Sequence, residues 1–163
     1  CYSIYKEVNG MKKGFFYILI CFFGISTLTA CTARTSEPVI SKSFSDFNKE
    51  QTLLLELHNE ERNGMNLELD KNLCDYSQRH AKKMADNNYL YHSSMSKLLK
   101  ESGASYVGEN IAWGQETEEE VVRAWMNSYG HRKNILNKHY KKVGFGISKD
   151  KNGSIYWCAV FSN

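Results

Sequence analysis

The sequence predicts an α+β domain in which helices come first and an antiparallel hairpin closes the chain. Two observations carry this. Apolar residues recur at spacings of three and four through residues 47–85 and again through 118–126, the period of a helix with one buried face. Residues 143–148 (VGFGIS) and 155–161 (IYWCAVF) are strand-like, and KDKNGS between them holds Asn152-Gly153, a strong turn signal. A hydrophobic content of 42% with 13% aromatic residues supplies a packed core, and such layering of helices on strands buries it.

The elements follow in order. Ser45 or Asp46 is placed to cap a first helix whose apolar positions are Phe47, Leu53, Leu54 and Leu57, with Gly64 ending it. Leu67 and Leu69 alternate with polar neighbours as a short extended piece. A second helix starts near Asp70, with Leu73, Ser77, His80, Ala81, Met84 and Ala85 on its inner face and Arg79, Lys82, Lys83 and Asp86 outside. HSSMSKLLKESG gives a short third helix closed by Gly103, and Thr117 with Glu120 has the form of a capping box opening a fourth. Val121, Val122, Trp125 and Met126 are the buried stripe of that helix, Gly130 breaks it, and RKNIL makes one further turn. The roughly 115 residues from Phe47 to Phe161 can bury about two thirds of their unfolded surface, enough for an independent core.

The first 46 residues read as addressing rather than fold. Met11-Lys12-Lys13 precedes the apolar run GFFYILICFFGISTLTA, which ends in Leu28-Thr29-Ala30-Cys31. The order of charged, apolar and small-residue segments predicts a lipoprotein signal peptide over residues 11–30. Cys31 is then the lipidated residue, anchoring an exported chain to the outer face of the cell membrane, with residues 31–46 as lipidated cysteine and spacer. Residues 1–10 are expected to be untranslated leader read as protein, because Lys6-Glu7-Val8 can be encoded by a ribosome-binding sequence upstream of the Met11 codon. Removing Lys6, Lys12, Lys13 and Glu7 from 21 basic and 18 acidic residues leaves 18 and 17. No basic stripe remains to suggest nucleic acid. Once Cys1, Cys21 and Cys31 are so assigned, Cys74 and Cys158 remain, and either a disulfide or two buried thiols fits them.

Three polar residues sit badly in these patterns. His92 follows the aromatic turn Tyr89-Leu90-Tyr91, Glu109 is embedded in the apolar GENIAW, and His131 follows Gly130. Burying an unpaired carboxylate is expensive, and histidine partners would give Glu109 a reason to be there. His58, Asn59 and Arg62 read as structural, His80 as a satisfied core histidine, and His139 as solvated. Tyr106, Trp113, Tyr129 and Tyr140 are either cleft or core residues.

The segments HNEERNG (58–64), HSS (92–94), GENIAWG (108–114), VVRAWMNSYGHRKNIL (121–136) and VGFGI (143–147) together resemble the CAP superfamily, which includes cysteine-rich secretory and plant pathogenesis-related proteins. The bacterial exported branch is the nearest in pattern, and the CAP (SCP) domain would occupy residues 47–163. The resemblance implies a three-layer α-β-α sandwich with a mostly antiparallel central sheet and a large cleft holding two histidines and two glutamates. His92, Glu109 and His131 match three of the four. The second glutamate falls at Ser128, a departure from the family pattern. Gly130 would end the helix so that His131 points into a cleft shared with His92; otherwise His131 is a structural histidine bonded to Glu109.

Some family members bind zinc through the histidines, so His92 and His131 are the candidate metal ligands and Zn2+ the one candidate cofactor. Two imidazoles supply half of a tetrahedral zinc shell, with water or Glu109 to complete it. The expected function is a cleft-based binding module for a peptide, lipid or cell-wall component. The alternative is a zinc-dependent hydrolase in which Glu109 handles protons. No catalytic residues are assigned: no Ser-His-Asp or Cys-His arrangement is evident, and a shared fold does not carry a shared activity.

Overall fold

The computed structural model describes residues 47–163. The expected leader, signal peptide, Cys31 and spacer lie outside these residues. Five helices and four strands follow in the order α1 (Lys49–Arg62), β1 (Glu68–Leu69), α2 (Lys71–Asn87), α3 (Met95–Ser102), β2 (Val107–Trp113), α4 (Glu118–Met126), α5 (Tyr129–Ile135), β3 (Lys142–Lys149) and β4 (Ile155–Ser162). Among the described residues no helix is long and apolar enough to cross a membrane.

The strands form one sheet in the order β1-β3-β4-β2. It is mixed rather than mostly antiparallel, because β1 joins β3 in parallel while the other pairings are antiparallel. The reason is connectivity. Two parallel strands need a long crossover, and the chain between β1 and β3 supplies one through α2, α3, β2, α4 and α5.

Alternation along β4 divides the core into two layers. Trp157, Ala159 and Phe161 pack with Leu54, Val121, Trp125 and Ile135 from α1, α4 and α5. Tyr156, Cys158 and Val160 face the other way, against Tyr76, Ala81 and Met84 of α2. The result is the expected α-β-α sandwich. Helix α2 lies directly on β3 because Gly144 and Gly146 have no side chains there: a Cβ at either would collide with the backbone of Leu73–Cys74 or Ser77. Ser77 Oγ uses that closeness to donate to the Gly144 carbonyl at 2.9 Å.

Local chemistry sets the boundaries, with two corrections. Asn48, not Ser45 or Asp46, caps α1: its side chain accepts from Gln51 N at 2.8 Å and Gln51 Oε1 accepts from Asn48 N, a full capping box. Nor does Gly130 end a helix. Helix α4 stops at Asn127, and Gly130 sits in the first turn of α5, which begins after Ser128. Two further signals hold only in part: α1 ends on Asn63 at φ 48°, one residue before Gly64, and Glu120, whose amide donates to Thr117 Oγ1, turns its carboxylate to Glu116 N, so the Thr117 box is not reciprocal. Asp70 caps α2 and Thr117 caps α4, while Gly103 ends α3 at φ 66°. Gly153 takes φ 87° in the β3–β4 loop, where Asp150 Oδ1 accepts from Asn152 N and Ser154 N.

Cys74 and Cys158 are both buried free thiols. Burial pushes the Cys74 thiol up to about 11 and holds that of Cys158 well above its ordinary value, so both stay protonated.

Candidate functional site

VGENIAW forms β2, an edge strand that the sequence patterns did not reveal. The pleat sends Val107, Glu109 and Ile111 toward α2 and sends Asn110 and Ala112 toward α4 and α5. Glu109 therefore enters the α2 layer, where its side chain is fully buried. Oε1 accepts from His92 Nδ1 and from the Ser93 amide, each at 2.9 Å. Oε2 lies 3.9 Å from both His80 Nε2 and the Cys158 thiol. Burial alone would push this carboxyl up, but the bonds from His92 and Ser93 outweigh it and hold it below the ordinary carboxylate value.

His92 stands on the loop between α2 and α3. Asn88 turns the chain at φ 48°, and the stacked rings of Tyr89 and Tyr91 follow, with centroids 5.9 Å apart. The His92 ring stays more than half exposed, at 58%, and the Glu109 bond raises its pKa against the opposing effect of burial. Because the carboxylate can only accept, Nδ1 carries the proton, and Nε2 makes no hydrogen bond among the described residues. His80, read as a core histidine, is one: Nε2 donates to the Tyr91 carbonyl at 2.8 Å, and its ring packs edge-on against Tyr91. It also fixes the loop that carries His92, a role that sequence reasoning missed. The available signal was a histidine inside an otherwise apolar stripe shortly before His92.

His131 comes from the opposite layer. Its carbonyl accepts from Asn110 Nδ2 at 3.1 Å, which ties α5 to β2. Its ring is half-buried, is not bonded to Glu109, and has no side-chain hydrogen bond among the described residues. Burial lowers its pKa, and a charge on His92 lowers it further. So His92 and Glu109 are joined directly, while His131 reaches the β2 edge from the other side. Ser128, at the position of the missing acid, precedes α5 and makes no capping bond.

Between these layers a groove of about 540 Å³ runs along the start of β2, with His92, Met95, Tyr106, Lys133, Asn134 and Tyr140 among its walls. Of the four uncertain aromatics, Tyr106 and Tyr140 line it, while Trp113 and Tyr129 are exposed elsewhere. His139 is exposed, as expected.

The first-helix residues are structural. His58 is fully buried among Trp125, Phe145 and Phe161, with Nδ1 donating to Leu54 O at 2.7 Å. Asn59 pairs twice with the Leu67 backbone. The Arg62 guanidinium donates to the carbonyls of Met65, Ile135, Asn137 and Tyr140.

A three-layer sandwich with a histidine–glutamate pair at a sheet edge defines the class. The chain belongs to the CAP, or cysteine-rich secretory protein, family, whose model matches residues 55–161. It is 39% identical over 141 residues to the uncharacterized protein YkwD of Bacillus subtilis, covering 80% of this chain and 52% of YkwD. The chain thus spans about half the length of that relative. An extracellular protein containing an SCP domain from Bacillus anthracis superposes with a TM-score of 0.61 at 28% identity, over 70% of this chain and 40% of that one. An outer surface protein of Borrelia burgdorferi gives 0.58 at 22% identity, over 69% and 87%.

Proposed function

We propose that this CAP-domain protein is an extracellular binding module, tethered to the outer face of the cell membrane through lipid on Cys31, whose groove takes a peptide, lipid or cell-wall component. The observation that carries the binding reading is the placement of Glu109. Its side chain has no exposed surface: Oε1 accepts from His92 and Ser93, and Oε2 is enclosed within 3.9 Å of His80 and the Cys158 thiol. A general acid or base must come within hydrogen-bond reach of its substrate. Glu109 is instead turned inward, where it fixes His92 at the groove wall. The extracellular B. anthracis relative and the signal-like N-terminus support export.

Zinc-dependent hydrolysis is the second reading. The donor types suit the metal: His92 has Nδ1 held by a carboxylate and Nε2 left over, the usual arrangement of a ligating histidine. His131 has its pKa lowered, which favours the neutral imidazole that ligation needs, whereas the raised pKa of His92 works against it. His92 and His131 would hold the ion, and bound zinc would supply an acidified water. With Glu109 turned inward and no second carboxylate at Ser128, no acid is placed to take that proton, and binding is preferred.

The test is native mass spectrometry of protein taken from its own cell envelope, with a palmitate analogue fed during growth. A retained small molecule lost in His92→Ala, together with label lost in Cys31→Ala, is the expected result. A protein that carries no molecule but cleaves added substrates only with zinc would reverse the preference. Label persisting on Cys31→Ala would sink the lipid anchor.

A further inference from the structure

We propose that the groove at the β2 edge is a saccharide subsite, taking an N-acetylated oligosaccharide that bears a carboxylate; this rests on the reading of the groove as a ligand site.

The first ground is a stack of three aromatic rings that runs from the core to the groove. Phe161 and Tyr140 stack with centroids 5.5 Å apart and planes at 23°, and Tyr140 and Tyr106 at 5.2 Å and 26°. Exposure rises along it from 0% at Phe161 through 2% at Tyr140 to 47% at Tyr106. The outer ring is fixed in place. Tyr106 N donates to Asn163 Oδ1 at 2.8 Å, Asn163 N returns a bond to Tyr106 O, and Asn137 Nδ2 donates to the Tyr106 hydroxyl at 3.3 Å. Gly108 makes the stack possible, since a Cβ there would collide with the Tyr140 hydroxyl. A rigid, half-exposed aromatic plate suits the C–H face of a pyranose ring, which packs flat on such surfaces.

The second ground is what the groove cannot take. An extended peptide would add to the free edge of β2 by pairing with its backbone. Two carbonyls of that edge already have side-chain donors, which a pairing strand would have to displace: Asn134 Nδ2 donates to Glu109 O at 3.2 Å and Trp125 Nε1 to Ile111 O at 3.2 Å. An acyl chain needs a continuous aliphatic channel, and among the described residues of the lining only Met95 and Val107 are aliphatic.

The third ground is polar chemistry. Asn134 uses its two N–H groups on Glu109 O and on Asn110 Oδ1 (2.9 Å), which leaves its own Oδ1 as an acceptor beside Gly108. Hydroxyl and acetamido groups donate to such an oxygen. Lys133 stands on the lining, and Glu109, the one carboxylate there among the described residues, is buried and paired with His92. The uncompensated charge in the groove is positive, which selects a sugar carrying an acid.

Titration calorimetry on the full chain in mild detergent tests this, using a disaccharide of N-acetylglucosamine and N-acetylmuramic acid against its neutral counterpart, chitobiose. The acidic sugar should bind more tightly. Tyr106→Ala should weaken it about tenfold with an unchanged circular dichroism spectrum, and Lys133→Ala should erase the difference between the two sugars. Amide spectra with the sugars, an extended peptide and a lysolipid separate the two ways of failing. A peptide or lipid that shifts the Tyr106 and Asn134 signals when neither sugar does overturns the saccharide assignment and keeps the groove as a ligand site. No shift with any of them overturns both.

Discussion

Glu109 Oε1 accepts from His92 Nδ1 at 2.9 Å, and this one contact joins a fully buried side chain to one that is 58% exposed. Removing the negative charge while keeping the shape should therefore be read at His92. Glu109→Gln should lower the His92 pKa, since the carboxylate bond is the main influence raising it. The sign for stability follows. The pair's contribution through His92 is present below the unfolded value near 6.5 and fades as pH rises through the raised folded value. Proton NMR titration of the His92 ring checks the shift. An unchanged midpoint would mean that the pair is not formed in solution.

Gly144 and Gly130 should respond oppositely to alanine. At Gly144 a Cβ meets the backbone of Leu73 and Cys74, so α2 must lift from β3. Overpacking of this kind costs about 1–3 kcal/mol, occasionally more. At Gly130 nothing lies within 4 Å, and the residue is helical. Alanine there should stabilise by about 0.5–1 kcal/mol through reduced freedom of the unfolded chain. Urea denaturation of both variants gives the two signs directly, and a destabilised Gly130→Ala would restore the glycine's role as a helix terminator.

His58 makes the folded state sensitive to acid. Its ring is fully buried, Nδ1 donates to Leu54 O, and Nε2 has no partner among the described residues. Burial lowers its pKa from 6.5 to about 4. The unfolded chain therefore binds a proton that the folded chain refuses, and stability falls as pH drops through that window. The loss amounts to about 3 kcal/mol between pH 6.5 and 4. Unfolding curves across that range should show the decline, and His58→Leu should make it clearly shallower, leaving the fall due to the lowered pKa values of His131 and Glu109. A wild-type profile no steeper than the variant's would refute the assignment.

Much of this was legible from residue types, and the failures share a cause. The inner face of α2 and the Glu109–His92 pairing were readable because local period and the cost of a buried carboxylate both leave marks in sequence. β2 was missed because Glu109 and Asn110 interrupt its apolar pattern, and their reasons for being there are tertiary: His92 for one, Asn134 and the His131 carbonyl for the other. Gly130 was misread as a terminator because intrinsic propensity disfavours it by only about 1 kcal/mol, which helix packing overrides. The parallel placement of β1 depends on a two-residue strand, too short to announce its partner. Groove residues Tyr106 and Tyr140 could not be told from core, because the stack they form needs Phe161 from the far end of the chain.

Arg62 shows most clearly what sequence cannot display, since all its partners are backbone carbonyls. It is 1% exposed, and its guanidinium donates to Met65 O, Ile135 O, Asn137 O and Tyr140 O. No carboxylate pairs with it among the described residues, and burial lowers its pKa. The planar fork holds α1 to the end of α5 and to the turn that leads into β3. Lysine keeps the charge but loses the fork geometry, so Arg62→Lys leaves carbonyls unsatisfied around a point charge. Arg62→Met removes the charge as well, leaving the same carbonyls with no donor. Each buried acceptor left unpaired costs about 1–3 kcal/mol, so both variants should lose several kcal/mol. Their effect should also reach the groove, because Tyr140 lies in the segment that Arg62 secures. Chemical denaturation measures the first effect and the amide signal of Tyr106 reports the second. A stable Arg62→Met protein with an undisturbed Tyr106 signal would show that the carbonyls find other donors and that the clamp is dispensable.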